Sequence, residues 1–439
     1  MLLFFLTFGC KVNQCETDAI RGCFLAAGHT VATDARAADI ILVNSCTVTA
    51  QSDGKVRLAL RRLRKQNPEA YLVLTGCYPQ AHADAAAHCP EADLITGTKH
   101  RDRLITQILE GYADRKRTSC IEPYAAQDVY ESMPCTPSES KTRAFLKIQD
   151  GCNQFCSYCI IPYARGRNRS MPLTEVRQQA EQLAAQGYAE LVLVGINLAF
   201  YGAAEGLRLA DAVEACAAVP TLRRIRLGSL EPERITSDDL ARFAACGKFC
   251  PQFHLSLQSG CDRVLRAMNR RYTTTEYKAL VESIRQVFPD AAITTDMMVG
   301  FPGETEAEFE DSLAFVREIG FAHVHVFPYS PREGTRAAAM PDQIPQTVKH
   351  ARAAAMTACA AEARAAFLRG QVGCTVPVLF ERSPDPAFQQ GHAPNGTLIK
   401  IPAKKGEKSL RKSVFHVIIE DSQSDSCTGR LAVPPVQAG

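Results

Sequence analysis

Ala144-Phe-Leu-Lys-Ile-Gln149-Asp-Gly-Cys152-Asn-Gln-Phe-Cys156-Ser-Tyr-Cys159 is the stretch around which the rest of the chain is organised. A strand-like run over 144–149 delivers three cysteines spaced by three and two residues. Such spacing lets one loop wrap several thiolates around a metal centre. A structural zinc site wants four protein ligands, and a cubic iron–sulfur cluster also usually takes four cysteines. Three leave one iron open to a substrate or cofactor, which makes this a reactive centre. The alternative is a zinc loop whose fourth ligand lies elsewhere.

From this loop outward to about residue 368, strand and helix signals alternate. Strands are expected at 144–149, 190–196, 223–229, 252–258, 292–299 and 323–329. Helices are expected at 174–186, 209–219, 237–245, 274–287, 304–319 and 346–368. Thr174 and Thr275 read as N-caps, and Gly187 and Gly320 as stops. Six consecutive βα units predict a partial (βα)6 barrel, whose active site lies at the carboxyl ends of its strands. The three-cysteine loop follows the first strand and therefore sits at that mouth.

The first hundred residues repeat a shorter pattern. Apolar runs at 2–8, 40–43 and 71–74 end in Gly9-Cys10, Asn44-Ser45-Cys46 and Thr75-Gly76-Cys77. Helix-compatible stretches at 16–27 and 55–66 separate them, which implies an α/β domain with a parallel sheet. In such sheets the loops after the strands share one edge and carry the ligand site. Cys10, Cys46 and Cys77 should converge there as a second three-cysteine set. The competing reading is three ordinary core cysteines.

Four segments result: an N-terminal α/β domain at 1–111, a linker at 112–142, the barrel at 143–369 and a small β-barrel at 370–436. The linker holds Pro123, Pro134 and Pro137 and no apolar period. The last segment has short β-rich runs at 375–380, 397–401 and 413–419 between Gly, Pro and Ser breaks. Lys400, Lys404, Lys405, Lys408, Arg411 and Lys412 crowd it against Glu407 alone. That is either a solvated face or a contact for nucleic-acid phosphates.

The composition is that of a globular protein, with 439 residues, 46% hydrophobic and 22% charged. A net charge of +3 confines any nucleic-acid affinity to local patches. Eighteen cysteines in a long chain point to metal–thiolate chemistry in a reducing, cytoplasmic compartment rather than to a disulfide scaffold. The apolar start, Met1 to Phe8, has no basic flank and reads as a buried first strand. No run reaches the ~18 apolar residues of a membrane helix.

The loop Gly151-Cys-Asn-Gln-Phe-Cys-Ser-Tyr-Cys-Ile-Ile-Pro-Tyr-Ala-Arg-Gly-Arg-Asn-Arg-Ser170 resembles the cluster loop of radical S-adenosylmethionine (SAM) enzymes, and more narrowly that of the methylthiotransferases. Gly9-Cys10-Lys-Val-Asn-Gln14, Asn44-Ser-Cys46-Thr-Val48 and Thr75-Gly-Cys77-Tyr-Pro-Gln80 match the other domain of that family, and the C-terminal segment is TRAM-like. Three subfamilies act respectively on isopentenyl-adenosine in tRNA, on N6-threonylcarbamoyladenosine (t6A) in tRNA, and on an aspartate of a ribosomal protein. Gly9–Gln14, Gly195-Ile-Asn-Leu198, Ser229-Leu-Glu-Pro232 and Met268-Asn-Arg-Arg-Tyr272 resemble the t6A subfamily. Cys15, and Ser256 in His254-Leu-Ser-Leu-Gln258, depart from the family pattern at positions outside the cluster ligands.

The resemblance implies two [4Fe-4S] clusters and S-adenosyl-L-methionine as cofactors. Cys152, Cys156 and Cys159 would hold the cluster that chelates SAM and cleaves it to methionine and a deoxyadenosyl radical. Cys10, Cys46 and Cys77 would hold a second cluster where the methylthio group is assembled. Asn197, Ser229, Glu231 and Gln258 end or follow barrel strands and are candidate cofactor-binding residues, or else strand-end caps. Gly300-Phe-Pro-Gly303-Glu304 resembles the family's adenine-side motif. Arg165, Arg167 and Arg169 would meet tRNA phosphates or acidic neighbours. Implied partners are the tRNA anticodon stem-loop, an electron donor such as a flavodoxin or ferredoxin, and a sulfur donor, with no membrane. A non-catalytic iron–sulfur RNA module and an electron carrier are the readings from other classes.

Overall fold

Ile40-Ile-Leu-Val43 and Tyr71-Leu-Val-Leu74 are apolar on both faces, as strands at the centre of a parallel sheet must be. They form β3 (Ile40–Ser45) and β4 (Tyr71–Gly76), every residue of which is buried. Around them a computed structural model, which describes residues 1–136, 142–403, 406 and 408–432, builds a six-stranded parallel sheet. Its other strands are β1 (Leu2–Thr7), β2 (Thr30–Val31), β5 (Leu94–Thr96) and β6 (Thr118–Cys120). The order is β2-β1-β3-β4-β5-β6, so the three strands that precede the cysteines are neighbours. Separate apolar layers pack on the two faces of the sheet.

The sheet extends past residue 111 by β6, and the stretch after it is held by scattered apolar contacts of Ile121, Tyr130, Met133 and Cys135 together with polar ones. Tyr130 donates its hydroxyl to the Lys147 carbonyl at 2.7 Å, and Glu131 accepts from the amides of His100 and Arg101 at the start of the helix Arg101–Asp114. Such contacts leave no hydrophobic period to read.

The barrel strands are β7 (Ala144–Lys147), β10 (Glu190–Val194), β11 (Arg224–Leu227), β13 (Gln252–Leu255), β14 (Ala292–Val299) and β15 (His323–Pro328). Two short strands, β8 (Gln149–Asp150) and β9 (Arg169–Ser170), pair across the cysteine loop. The run expected at 223–229 breaks at Gly228: β11 pairs with β10, while β12 (Ser229–Leu230) pairs with β13. All six units are parallel, and among the described residues β7 and β15 do not pair, so the barrel is unclosed on that side.

Helix starts shift from two expectations. Thr273, not Thr275, caps the helix Thr274–Val287, because Glu276 completes a capping box with it. Thr174 lies inside the helix Leu173–Ala185, which begins after Pro172. Gly320 stops its helix in the left-handed conformation, and Gly187 (φ +85°) follows the end of its own.

The C-terminal segment is a closed barrel of β16 (Thr375–Glu381), β17 (Phe388–His392), β18 (Leu398–Pro402), β19 (Val414–Ser422) and β20 (Cys427–Leu431). It seats on the amino ends of the large barrel's strands. Arg224 donates to the His392 and Pro377 carbonyls at 3.0 and 2.6 Å, and Arg226 to that of Pro394 at 2.9 Å. The N-terminal domain covers the opposite, carboxyl end. Pro137 of the linker, Lys404, Lys405 and Glu407 of the basic run, and 433–436 lie outside the described residues. Among the described residues no helix is long and apolar enough to cross a membrane.

Candidate functional site

Each cysteine of the N-terminal set follows a strand of the sheet, and backbone freedom brings them together. Gly9 has φ +110°, and a Cβ there would stand 2.8 Å from that of Cys46. Gly76 has φ +105°, with the backbone of Ser45 at 2.5 Å from any Cβ. Only glycine meets both demands. Cys10 is exposed and its thiol donates to Asn13 Oδ1 at 3.3 Å, while Cys46 and Cys77 are buried. Burial raises the Cys46 thiol and pushes Cys77 up to about 12. The two other cysteines of the set add to the rise at Cys77, and Arg165 opposes it. Cys15 belongs elsewhere, packed with Phe145 and Ile196 against Val192 and Val194.

The second set lies on the loop after β8. Gly151 (φ +72°) has the Arg167 carbonyl 1.9 Å from where a Cβ would be, and the Cys152 amide bonds to the Gly166 carbonyl at 3.0 Å. The loop is thus folded back on its own outgoing limb. The Gln154 amide and Asn197 Nδ2 each donate to Cys152 Sγ at 3.4 Å, and Arg270 Nη1 donates to Cys156 Sγ at 3.4 Å. Burial raises all three thiols, Cys152 to about 11.

These donor sets fit iron–sulfur clusters. Among the described residues no three His, Cys, Asp or Glu side chains gather as the cage of a single ion. A cluster instead takes one thiolate per iron, and its potential is set by N–H donors and charges at the sulfurs. Both sets have such groups: Asn197, Arg270 and the Gln154 amide at one, Arg165 at the other.

Arg165 joins the two domains. Its side chain is 0% exposed and that of its partner Glu16 is 1% exposed. Its Nε donates to Cys77 Sγ at 3.2 Å and its Nη2 to Asn13 Oδ1 and Glu16 Oε2 at 3.2 and 3.1 Å, while its Nη1 pairs with Glu16 Oε1. Lys147 pairs with Glu16 and Asp150 at 2.9 and 2.6 Å, Arg101 with Glu16 at 3.0 Å, and Arg169 with Asp150 at 3.8 Å. Four cations thus surround two carboxylates, and the surplus positive charge lies beside a sulfur expected to be anionic. The phosphate-contact reading of Arg165 is therefore overturned, because a fully buried guanidinium cannot meet a tRNA backbone. Arg169 is also buried, stacked 4.7 Å from the Tyr124 ring, and of the three only Arg167 is exposed.

The four strand-end residues occupy different places. The Asn197 amide donates to Gln149 Oε1 at 2.7 Å and its Nδ2 to Cys152 Sγ, and its Oδ1 is buried with no partner among the described residues. Glu231 forms a forked pair with Arg270, the guanidinium that also reaches Cys156, so it acts on the cluster loop through that arginine. Burial raises the Glu231 carboxyl, against the pull of Arg270. Ser229 is exposed, opposite His254 in the sheet. Gln258 is held at φ +72° by the Asp296 carbonyl and the Met298 amide, 2.8 and 2.9 Å away. It lines a cavity of about 240 Å³ with Cys159, Tyr158, Asp296 and Phe327, closed on the other side by Val48 and Thr49 after Cys46. Of the six cysteines Cys159 borders that cavity, and Val48 and Thr49 bring to it the segment just after Cys46. Gly300–Glu304 is a turn in which the Gly300 amide donates to Glu304 Oε2 at 2.7 Å.

Sequence reasoning missed Glu16, Gln149 and the role of Arg270. Arg270 stood inside a quoted motif, but Glu16 acts through partners 85 to 149 residues away, and Gln149 ties the cysteine loop to Asn168 and Asn197, 19 and 48 residues on, which leaves no periodic signal.

A family model described as the Radical SAM superfamily matches residues 146–316, and one described as Uncharacterized protein family UPF0004 matches residues 3–97. The chain is similar to the threonylcarbamoyladenosine tRNA methylthiotransferase MtaB of Bacillus subtilis (strain 168), with 38% identity over 352 residues, 79% of this chain and 78% of that protein. It is also similar to the tRNA-2-methylthio-N(6)-dimethylallyladenosine synthase of Pelotomaculum thermopropionicum, with 35% identity over 448 residues, 99% of this chain and 98% of that protein. Its fold is like that of the radical SAM methyltransferase TsrM from Kitasatospora setae, solved with cobalamin and a [4Fe-4S] cluster, at a TM-score of 0.57, 14% identity and 77% coverage of each chain. Identities this high over most of the relatives' length decide the matter: the chain belongs to the radical SAM methylthiotransferases of tRNA, enzymes that transfer sulfur-containing groups with S-adenosyl-L-methionine and [4Fe-4S] clusters as cofactors.

Proposed function

We propose that this enzyme methylthiolates C2 of t6A next to the anticodon of tRNA. One observation carries the reading: a cavity bordered by Cys159 of one three-thiol set and by Val48 and Thr49, just after Cys46 of the other, lies between the barrel mouth and the N-terminal domain. Radical generation and sulfur delivery then meet at one substrate. The choice of t6A is supported by the Gly9–Gln14 motif and by the relatives named MtaB.

Cys152, Cys156 and Cys159 hold the SAM-binding cluster, and Cys10, Cys46 and Cys77 the second. When bound, these groups supply the radical and the sulfur. The chain's own residues bind and orient them. Asn197 and Arg270 direct N–H groups at the first set. Gln258, Asn197, Ser229 and Glu231, at the strand ends, hold the cofactor, Glu231 by keeping Arg270 in place. The cavity walls Tyr158, Met298 and Phe327 keep bulk water from the reacting carbon. An electron donor of the flavodoxin or ferredoxin kind and a separate sulfur donor complete the cycle, in the cytoplasm, where thiols stay reduced.

The test is mass spectrometry of tRNA nucleosides from a strain lacking the protein, with and without the wild-type chain. Loss and return of 2-methylthio-t6A is the expected result. Unchanged 2-methylthio-t6A with loss of the isopentenyl product, or of a methylthiolated ribosomal aspartate, refutes it.

A further inference from the structure

The large barrel has a second cavity, of about 340 Å³, at the amino ends of its strands against the C-terminal barrel. His254, Thr294, His323, His325 and Arg364 line it. Alternation along a strand links it to the reaction cavity. Thr294, Asp296 and Met298 share one face of β14, and their register partners His323, His325 and Phe327 share one face of β15. The upper members of these rows line the cavity beside Cys159 and the lower members line this one, so the two cavities follow one another along the inner face of the barrel. Each step of two residues is ~7 Å. His254 bridges the levels, with Nδ1 3.0 Å from Thr294 Oγ1 and Nε2 3.3 Å from Asp296 Oδ2.

The lower level is built for an anion. Arg364 donates to His323 Nδ1 at 3.0 Å and to the Asp425 carbonyl at 2.7 Å. Among the described residues no carboxylate pairs with it. Burial, with help from His325 and Arg364, lowers His323 to about 4, so this ring is neutral at pH 7. A neutral ring that accepts at Nδ1 carries its proton on Nε2 and has a donor left to offer. The upper level is apolar by contrast. Phe327 and Val48, 45% and 54% exposed, face it from two domains and suit the faces of an unstacked base.

We propose that the lower cavity receives the N6 substituent of the target adenosine, and that Arg364 with His323 Nε2 selects a substituent ending in a carboxylate. This rests on the t6A reading and gives it a physical basis. A guanidinium recognises a carboxylate through charge-assisted, often bidentate hydrogen bonds. An apolar dimethylallyl group in the same place would desolvate Arg364 and the imidazoles without replacing their water, and sites of that kind discriminate strongly.

The test uses full-length, anaerobically reconstituted enzyme and three anticodon stem-loops, carrying t6A, its carboxyl methyl ester and isopentenyl-adenosine. Initial rates of methylthiolation give kcat/KM for each. The wild type should prefer t6A to the ester by about 10- to 100-fold, the worth of a charged hydrogen bond. Arg364→Met, which keeps the apolar stem, should collapse that ratio towards one, and Arg364→Lys should restore part of it. A ratio within one preparation is insensitive to how much protein is folded. An acid-to-ester ratio in Arg364→Met equal to that of the wild type overturns the pocket while leaving the t6A reading intact. A wild type that turns over only the isopentenyl stem-loop overturns the t6A reading itself, and the pocket with it.

Discussion

Glu16→Leu is the most informative perturbation of the interface between the N-terminal domain and the barrel. The carboxylate, 1% exposed, meets three cations: Arg165, Lys147 at 2.9 Å and Arg101 at 3.0 Å. Removing it leaves Arg101, Lys147, Arg165 and Arg169 with Asp150 alone. Breaking a buried pair from one side typically costs about 3–5 kcal/mol, because the orphaned charges stay in the interior. At roughly 2–4 °C per kcal/mol for a cooperative unit of this size, the melting temperature should fall by on the order of 10 °C. Two of the lost pairs cross the interface, so the 121–136 segment should also become sensitive to limited proteolysis before the barrel melts. Arg165→Met should cost less, since Glu16 then keeps Lys147 and Arg101. Acid sharpens the test. Burial alone would raise the Glu16 carboxyl, but the three cations outweigh it and hold it well below the usual carboxylate range. Its stabilisation is therefore present above an ordinary Glu pKa of about 4.3 and lost as pH falls through the depressed value, so the acid limb of stability against pH should flatten in Glu16→Leu. Anaerobic calorimetry across pH 3–8 measures both effects. A Glu16→Leu protein that melts within about 2 °C of wild type, with an unchanged acid limb, refutes the reasoning.

Other expectations follow from the two cysteine sets and the basic run. Changing Cys152, Cys156 and Cys159 together to Ala should remove one cluster's iron and sulfide and spare the other's; loss of all iron, or a wild type that binds only zinc, contradicts two clusters. Cys10→Ala should abolish methylthiolation while SAM cleavage to deoxyadenosine stays detectable, and Cys15→Ala should keep activity, since Cys15 packs among apolar neighbours. Quantifying deoxyadenosine and modified nucleoside side by side decides this, and full methylthiolation by Cys10→Ala sinks the assignment. Changing Lys404, Lys405 and Lys408 to Ala should weaken all tRNAs alike and flatten the salt dependence by about 0.7–0.9 in slope per lost phosphate contact, read from tRNA affinity against salt; parallel curves mean a solvated face.

The cysteines and the six-unit barrel were legible because each leaves a short-range mark. A strand running into a small residue and a cysteine, three times over, requires only local reading, and parallel order then brings Cys10, Cys46 and Cys77 to one edge. The break of β11 and β12 at Gly228 was not legible, because the split is decided by which neighbour each half pairs with. Two strands of the small barrel, Phe388–His392 and Cys427–Leu431, were missed because their residues are largely polar and half-exposed. Arg165 misled for a related reason. Three arginines in five residues look like a surface, and only the fold discloses Glu16, 149 positions earlier, as the partner of the first.

The unclosed side of the large barrel decides what shape of nucleic acid can react. The upper cavity is bordered by Val48 and Thr49 of the N-terminal domain and the lower one by the small barrel, while His325 and Phe327 on β15 remain exposed, so the unpaired side of β15 is the expected entry. A base held in a duplex cannot take that route. The target nucleotide must swing out of its stack and enter alone, at a cost of a few kcal/mol that is smallest where the strand is already unpaired. The slot should thereby work as a secondary-structure filter: adenosines in stems are expected to be refused whatever their sequence, and those in a loop admitted one at a time.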